Sequence, residues 1–162
     1  IQLGKLNKGK PYSIDNPKLR FNMSNSGRRV VYAFSMDEEI GIDIERLREL
    51  TDLDELIEKN YNTYERDYIN KLPERRQYRF LKFWTIKEAY LKAIGAGMRI
   101  PPDNLEFSIQ NGNYKLQSIK GVTVDIDQDE WIFNHFTLDN EKYVGTVTNK
   151  NENANITLRS LV

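Results

Sequence analysis

The stretch FWTIKEAYLKAIGAGM, residues 83–98, combines a helical pattern with charged residues close to the side that would be buried. Its pattern extends back to Pro73, a residue favoured at the start of a helix, and runs on to Ile94. Apolar side chains recur along one face, and Glu88 and Lys92 lie at the edge of that face. The two charged residues are four positions apart, so they are neighbours on the helix surface. Taken alone, such a pair is more often a weak surface salt bridge than a functional site.

The composition describes a globular chain without cysteine chemistry. Its 162 residues are 39% hydrophobic and 30% charged, which suits one domain or two small lobes. The 24 basic and 24 acidic residues balance, so a generally basic nucleic-acid binder is not expected. The absence of cysteine excludes disulfides and thiolate catalysis and fits a cytoplasmic location. The single histidine, His135, cannot form a multi-histidine metal site, and no apolar run is long enough to span a membrane.

Short segments of strand and helix character surround the long helix. The segments at 30–35 and 40–45 predict strands, and the four-residue link between them predicts a hairpin. Residues 9–17 are predicted to form a loop, and short helices are predicted at 52–61 and 63–71. The remainder predicts a meander of strands in LEFSIQ (105–110), YKLQSI (114–119), VTVDI (122–126), WIFNHFTL (131–138), YVGTVT (143–148) and NITLRSL (155–161). The predicted class is therefore α+β, with one long helix packed on antiparallel sheet.

A second acidic pair lies in the predicted strand GIDIER. Asp43 and Glu45 are two residues apart, so both side chains point to one face of the strand while the intervening isoleucines point to the other. The pair is consistent with simple solvent exposure, but two carboxylates side by side repel unless a positive charge lies between them. If the long helix crosses this strand, Glu88 joins the pair and three carboxylates converge. Such a set suits Mg²⁺, with Mn²⁺ as a substitute and phosphate as a co-ligand that Lys92 would also reach.

These two segments, in this order, resemble the 4'-phosphopantetheinyl transferases. The family pattern is G-x-D-x-E followed by W-[ST]-x-K-E-x-x-x-K-x-x-G-x-G. Its fixed positions are met by Gly41, Asp43, Glu45, Trp84, Lys87, Glu88, Lys92, Gly95 and Gly97. Upstream, GKP (9–11) and FNMSNSG (21–27) resemble the family's G-K-P and F-N-x-S-H-S-G. The likeness covers the chain from about residue 8 to residue 110.

The order of the motifs is similar to that of the larger, monomeric surfactin-synthetase-activating type, in which G-I-D-I-E follows G-K-P. The resemblance implies two pseudo-symmetric lobes, each with a long helix packed on antiparallel sheet. Residues 1–37 would be the remainder of an N-terminal lobe, which is expected to be incomplete. Residues 38–162 would be the C-terminal lobe that carries the metal-binding carboxylates. A monomer is expected.

The resemblance also implies a reaction and a site. A Mg²⁺-dependent enzyme of the holo-[acyl-carrier-protein] synthase kind would transfer the 4'-phosphopantetheine arm of coenzyme A to a serine of an apo acyl or peptidyl carrier protein, releasing adenosine 3',5'-bisphosphate. Asp43, Glu45 and Glu88 would bind the metal ion, and Lys92 would neutralise the leaving phosphate. The base for the serine would be Glu88, or Glu65 acting through a water, and the sequence does not choose between them. Further coenzyme A contacts are expected from Lys10, Pro11, Ser24 and Asn25.

One departure and two alternative functions accompany this resemblance. Asn25 stands where the family has histidine. A neutral amide predicts either weaker binding of the 3'-phosphate of coenzyme A or binding that relies on basic residues of the incomplete first lobe. The chain could instead be a non-catalytic module that binds carrier protein or coenzyme A. A Mg²⁺-dependent phosphohydrolase is disfavoured because no phosphatase-like nucleophile motif is present. No nucleic-acid or membrane partner is expected, and the sequence does not identify the carrier protein.

Overall fold

The computed structural model describes residues 2–5, 10–121, 131–152, 154, 156–157 and 159, and they form an α+β fold, as predicted. The strands of the described part are β1 (Leu3–Lys5), β2 (Pro11–Ser13), β3 (Leu19–Ser26), β4 (Arg29–Met36), β5 (Gly41–Arg46), β6 (Leu105–Gln110), β7 (Asn113–Ile119), β8 (Ile132–Leu138) and β9 (Tyr143–Asn149). The α-helices are α1 (Leu53–Asn60), α2 (Thr63–Asn70) and α3 (Arg76–Ala93). Turns of 3₁₀ helix occur at Pro73–Arg75, Gly97–Arg99 and Pro102–Asn104.

All strand pairs in the described part are antiparallel. They form the pairs β1–β2, β3–β4 and β6–β7 and the three-stranded sheet β5–β9–β8. The central strand β9 is buried along its whole length, because α3 covers one face of the sheet and a second apolar cluster lies on the other. That second cluster includes Ile42 and Ile44, which confirms that the isoleucines of GIDIER point away from the acidic pair. No helix of the described residues is long and apolar enough to cross a membrane.

Helix α3 organises the larger part of the core. Its buried residues pack against α1, α2 and the strands β6 to β9; they include Phe83, Ile86 and Leu91. The helix ends where the sequence predicts, because Gly95 adopts a left-handed conformation with φ +64°. There the N–H of Ala96 donates to the carbonyl of Leu91 at 3.0 Å, in the pattern of a Schellman cap.

The predicted hairpin between 30–35 and 40–45 is wrong. Strand β4 pairs with β3, and β5 pairs with β9, so the two predicted strands belong to different sheets. The free edge of β5 is instead met by side chains from β3. The N–H groups of Ile42, Ile44 and Arg46 donate to Asn22 Oδ1, Ser24 Oγ and Ser26 Oγ at 3.1, 3.4 and 3.0 Å. These bonds satisfy edge donors that a hairpin partner would otherwise have paired.

Other sequence predictions had mixed outcomes. The predicted loop at 9–17 contains β2, which pairs with β1. The strand predicted at 122–126 lies outside the described residues. In the segment 155–161, residues 156, 157 and 159 are described and are not in a strand, and the others lie outside the described part. The two short helices and the strands β4 to β9 lie within one or two residues of their predicted positions.

The crossing of α3 over β5 depends on Gly41. A Cβ atom on this residue would lie 2.0 Å from the carbonyl oxygen of Ala89 and 2.7 Å from the backbone nitrogen of Ala93. Both neighbours are helix backbone, so neither can move without displacing α3. Only a residue without a side chain therefore permits this distance between helix and strand.

We predict that Gly41→Ala destabilises the protein by about 3 kcal/mol or more, because the methyl group forces α3 away from the sheet. Urea denaturation followed by circular dichroism measures the free energy of unfolding. The control is Gly112→Ala, where a Cβ meets nothing within 4 Å and φ is +79°, so only a backbone cost of about 1–2 kcal/mol is expected. Equal losses in the two variants would contradict the close crossing.

Candidate functional site

The centre of the site is Asp43, which is buried between β5, β3 and α3. Its Oδ1 atom accepts hydrogen bonds from Ser24 Oγ at 2.8 Å and from Lys92 Nζ at 2.7 Å. Lys92 Nζ also donates to Ser24 Oγ at 2.9 Å, which closes a triangle of three side chains from three elements. The second carboxylate oxygen, Oδ2, is buried and has no hydrogen-bond partner. One face of this carboxylate is thus neutralised, and the other retains an unused acceptor.

Glu45 and Glu88 flank Asp43. Glu45 Oε2 accepts a hydrogen bond from Ser26 Oγ at 2.9 Å. This contact is of the same kind as the one between Ser24 and Asp43, two residues earlier on both strands. Burial raises the pKa of Glu45 and of Glu88, and the charge of Asp43 raises both further. Burial also raises the pKa of Asp43, although the neighbouring Lys92 ammonium opposes that increase. The carboxylates are therefore electrostatic neighbours, as the strand and helix patterns predict.

The neighbouring carboxylates are not arranged as a ready metal site. Within the described residues, no group of three acidic or histidine side chains is arranged to hold a metal ion. The cation that contacts Asp43 is the ammonium of Lys92. The helix pattern also allowed a simple salt bridge between Glu88 and Lys92. Among the described residues, Lys92 instead forms its ion pair with Asp43.

Glu65 has different surroundings, because its side chain is 0% exposed and is bonded on both oxygens. It forms a reciprocal capping box with Asn62 at the start of α2, and its Oε1 accepts the N–H of Phe107 at 3.0 Å. Its Oε2 lies 2.8 Å from Lys87 Nζ. These are the contacts of a structural residue, and the geometry gives no support to the role of Glu65 as a base.

Lys87 is the partner of Glu65 that the sequence did not identify, and its side chain is also 0% exposed. Its Nζ donates to the carbonyl of Asn60 at 3.0 Å and lies 4.6 Å from the centre of the Tyr61 ring. Burial lowers the pKa of Lys87 and raises that of Glu65, while their mutual attraction favours the charged forms. The pair joins α3 to α1, α2 and β6. The available sequence signal for Glu65 was its position three residues after Asn62, which is the spacing of a capping box.

The expected coenzyme A contacts lie in three different places. Lys10 is bonded to the end of α3, where its Nζ lies 2.5 Å from both the carbonyl of Ala93 and Glu39 Oε2. Pro11 begins β2 and is half-buried, and Gly9 of the same motif lies outside the described residues. Asn25 is exposed and follows the buried Ser24 along β3, so the two side chains point to opposite faces of that strand.

A row of uncharged polar groups continues from Asp43 beneath α3. In the sheet register Asp43 stands opposite Thr146, which stands opposite His135. Thr146 Oγ1 lies 2.8 Å from Thr85 Oγ1 of α3 and 2.9 Å from His135 Nδ1. Burial lowers the pKa of His135 to about 3, so the ring is neutral at physiological pH. His135 therefore has the structural role that its position in a strand predicts.

Comparison with known proteins identifies a family that the chain matches over most of its length. A family model described as the 4'-phosphopantetheinyl transferase superfamily matches residues 39–148. The 4'-phosphopantetheinyl transferase HetI of Nostoc sp. (strain PCC 7120 / SAG 25.82 / UTEX 2576) is 41% identical over 81 residues, covering 49% of this chain and 34% of that protein. The 4'-phosphopantetheinyl transferase Sfp of Bacillus subtilis (strain 168) is 32% identical over 111 residues, or 67% of this chain and 48% of Sfp.

A vertebrate relative matches a longer part of the chain at lower identity. The L-aminoadipate-semialdehyde dehydrogenase-phosphopantetheinyl transferase of Xenopus laevis is 26% identical over 159 residues. That match covers 89% of this chain and 53% of the Xenopus protein. The chain thus spans from about a third to about half of the length of these curated relatives.

The buried pair of Lys87 and Glu65 generates a prediction about stability. Lys87→Met should destabilise the protein by about 3–5 kcal/mol, because it leaves the Glu65 carboxylate buried without a counter-charge. Urea denaturation of both single variants and of the double variant Lys87→Met/Glu65→Gln gives the coupling energy. We expect the double variant to be more stable than the sum of the two single losses implies. Additive losses would show that the two side chains do not act as a pair.

Proposed function

The chain belongs to the 4'-phosphopantetheinyl transferase superfamily, and we propose that it transfers the 4'-phosphopantetheine arm of coenzyme A to a serine hydroxyl of an apo acyl or peptidyl carrier protein. The other product would be adenosine 3',5'-bisphosphate. The observation that carries the proposal is the buried cluster of Asp43, Ser24 and Lys92, with Glu45 and Glu88 beside it. Apart from Ser24, these residues lie in the part of the chain that the family model matches.

A divalent cation is part of this proposal. The donor atoms of the site suit such an ion chemically, although the three carboxylates are not arranged around one point in the ligand-free protein. Asp43 offers a buried oxygen without a partner, and Glu45 and Glu88 are half-buried carboxylates whose charges interact with it. Oxygen donors of this kind suit Mg²⁺, and Mn²⁺ can take its place. We propose these three side chains as its ligands. When bound, the ion would neutralise negative charge on the diphosphate of coenzyme A.

Lys92 and Lys10 are proposed to bind the phosphates. Lys92 would neutralise the charge that develops on the leaving α-phosphate, a task that suits a flexible ammonium. Lys10 is bonded to the carbonyl of Ala93, the residue next to Lys92, so both ammonium groups lie at the same end of α3. Pro11 and Ser24 complete the proposed contacts. Asn25, exposed on the other face of β3, would give at most a neutral hydrogen bond to the 3'-phosphate.

Glu88 is our proposed base. In the reaction the serine oxygen forms a bond to the β-phosphorus, the bond from that phosphorus to the oxygen of the α-phosphate breaks, and the serine proton is transferred to the base. Burial and the charge of Asp43 raise the pKa of Glu88 in the protein without a bound cation. A carboxylate placed next to the reacting serine can accept its proton. Glu65, the other residue that the sequence allowed, has both oxygens bonded within the protein core.

The oligomeric state, the location and the absence of other partners stay predictions from the sequence. These are a monomer in the cytoplasm, with neither nucleic acid nor membrane as partner.

The test of the function is incubation with coenzyme A, Mg²⁺ and an apo carrier protein, followed by intact-mass spectrometry of the carrier. The proposal expects the carrier to gain the mass of the phosphopantetheine arm. An unchanged carrier that still binds the protein would support the alternative of a non-catalytic module. An unchanged carrier with hydrolysed coenzyme A would support a phosphohydrolase. Several carriers, from fatty acid, polyketide and peptide synthesis, should be compared.

Asp43→Asn is predicted to reduce the transfer rate by a factor of at least about 10², because it removes charge from the centre of the proposed site while preserving the side-chain shape. The rate of mass gain on the carrier, at saturating coenzyme A and Mg²⁺, is the measurement. Asp67→Asn is the matched control, since Asp67 is exposed on α2. A folded Asp43→Asn protein with a normal rate would rule out Asp43 as a site residue.

Exchange of the two glutamates separates their roles. Glu88→Gln should lower kcat by about 10² or more, because the amide cannot accept the serine proton. Glu65→Gln should lower the thermal unfolding midpoint and leave kcat within a few-fold at temperatures where the variant is folded. The reverse pattern, with kcat lost only in Glu65→Gln, would assign the base to Glu65.

A further inference from the structure

We propose that Lys92 is a built-in counter-ion for the metal site, which neutralises Asp43 in the ligand-free protein and leaves this carboxylate when a divalent cation binds. This inference rests on the metal ligands named in the proposed function. It adds that Lys92 competes with the metal ion before it contacts any phosphate. The free protein should therefore bind divalent cations more weakly than its carboxylates alone would.

The contact distances show that the Lys92 ammonium contacts the Asp43 carboxylate directly. Its ammonium lies 2.7 Å from Oδ1 and 2.9 Å from Ser24 Oγ. A carboxylate as buried as Asp43 is strongly unfavourable without a nearby positive charge. In the described part of the chain, Lys92 is the residue that forms an ion pair with Asp43. The stable form of the ligand-free site is therefore one in which Lys92 is held in place.

A divalent cation on Asp43 would disturb this arrangement. The ion and the ammonium would then share one carboxylate at distances of a few ångströms, where like charges repel strongly in a partly buried site. The unused Oδ2 atom shows that Asp43 has coordination capacity beyond its contact with Lys92. Asp43 therefore has an acceptor left for a cation, and the charge of a bound cation would favour departure of the ammonium.

Lys92 has the freedom to move, whereas Asp43 does not. The Lys92 side chain is 29% exposed and that of Asp43 is 5% exposed. A lysine has a long, flexible stem of methylene groups, so its ammonium can turn toward solvent or toward a bound phosphate. Ser24 can stay in place, because its Oγ also accepts the N–H of Ile44. Glu45 and Glu88 face the same ammonium, and Arg48 is a further charged neighbour of Glu45.

The consequence is a coupling between cation and diphosphate. A cation alone must displace Lys92 without giving the ammonium a new partner. A diphosphate group provides that partner and adds ligands for the cation, so the two should bind more tightly together than apart. The ion pair of Lys92 and Asp43 would therefore limit binding of a cation in the absence of the diphosphate substrate.

The test measures binding of Mn²⁺ alone, with no coenzyme A present, at about pH 8, well above the ordinary pKa of a carboxyl group. The electron paramagnetic resonance signal of free Mn²⁺ gives the dissociation constant for wild-type protein, Lys92→Met and Lys92→Gln. We expect both variants to bind Mn²⁺ at least about tenfold more tightly than wild type, because a nearby positive charge has been removed. Lys82→Met is the control, since Lys82 lies on the same helix over the ring of Tyr114, and its affinity should equal that of wild type.

Thermal unfolding supplies a second readout that does not depend on activity. Removal of Lys92 should lower the unfolding midpoint in the absence of metal, and Mg²⁺ should raise it more in the variants than in wild type. Lys92→Gln retains a hydrogen-bond donor for Asp43, so it remains informative if Lys92→Met does not fold without metal.

The outcomes separate this inference from the proposed function. If wild-type protein binds Mn²⁺ and the Lys92 variants bind it equally or more weakly, the counter-ion role is wrong, whatever the transfer assay shows. If neither wild type nor the variants bind Mn²⁺, the metal ligands are wrong and the inference fails with them. Mass gain on the carrier protein, measured separately with wild-type protein, decides whether the transferase function stands.

Discussion

The close crossing of α3 over β5 is the constraint on which the site depends. Gly41 lets the helix backbone approach the strand so closely that Lys92 reaches Asp43 and Thr85 reaches Thr146. A larger residue at position 41 would separate the two elements and lengthen both contacts together. The glycine that begins GIDIE and the lysine near the end of α3 are therefore parts of one packing arrangement. This explains physically why the two segments must occur together for a site to form.

Helix α3 carries two lysines that neutralise buried carboxylates in different ways. Lys87 and Glu65 are both fully buried, and each has further hydrogen bonds to backbone groups, so this pair has no access to a ligand. Lys92 pairs with a buried aspartate, but its own side chain reaches solvent. The first pair stabilises the junction of α1, α2, α3 and β6. The second holds the charge that we propose to be released when a cation and a phosphate bind.

Elements with a regular pattern were predictable from the sequence, and elements defined by distant partners were not. Apolar periodicity identified α3 and the strands β4 to β9, and Gly95 marked the end of the helix. Strand β3 was missed because its buried positions, Asn22 and Ser24, are polar, while its outward positions include Met23. That inverted pattern has a physical cause, since these polar side chains bond the edge of β5. No local signal reveals such a contact before the two strands are brought together.

The candidate site shows the same division between local and distant information. Strand alternation and helix spacing predict that Asp43, Glu45 and Glu88 are neighbours, and the charge of Asp43 raises the pKa of both glutamates, which agrees with that. The sequence could not show that Glu65 is enclosed by Lys87 and Phe107, because its partners come from α3 and β6. The sequence also could not show that the Lys92 ammonium contacts Asp43 in the ligand-free protein. Burial explains this contact, because an ionised buried carboxylate is unfavourable without a nearby positive charge, and the Lys92 ammonium provides that charge in the ligand-free protein.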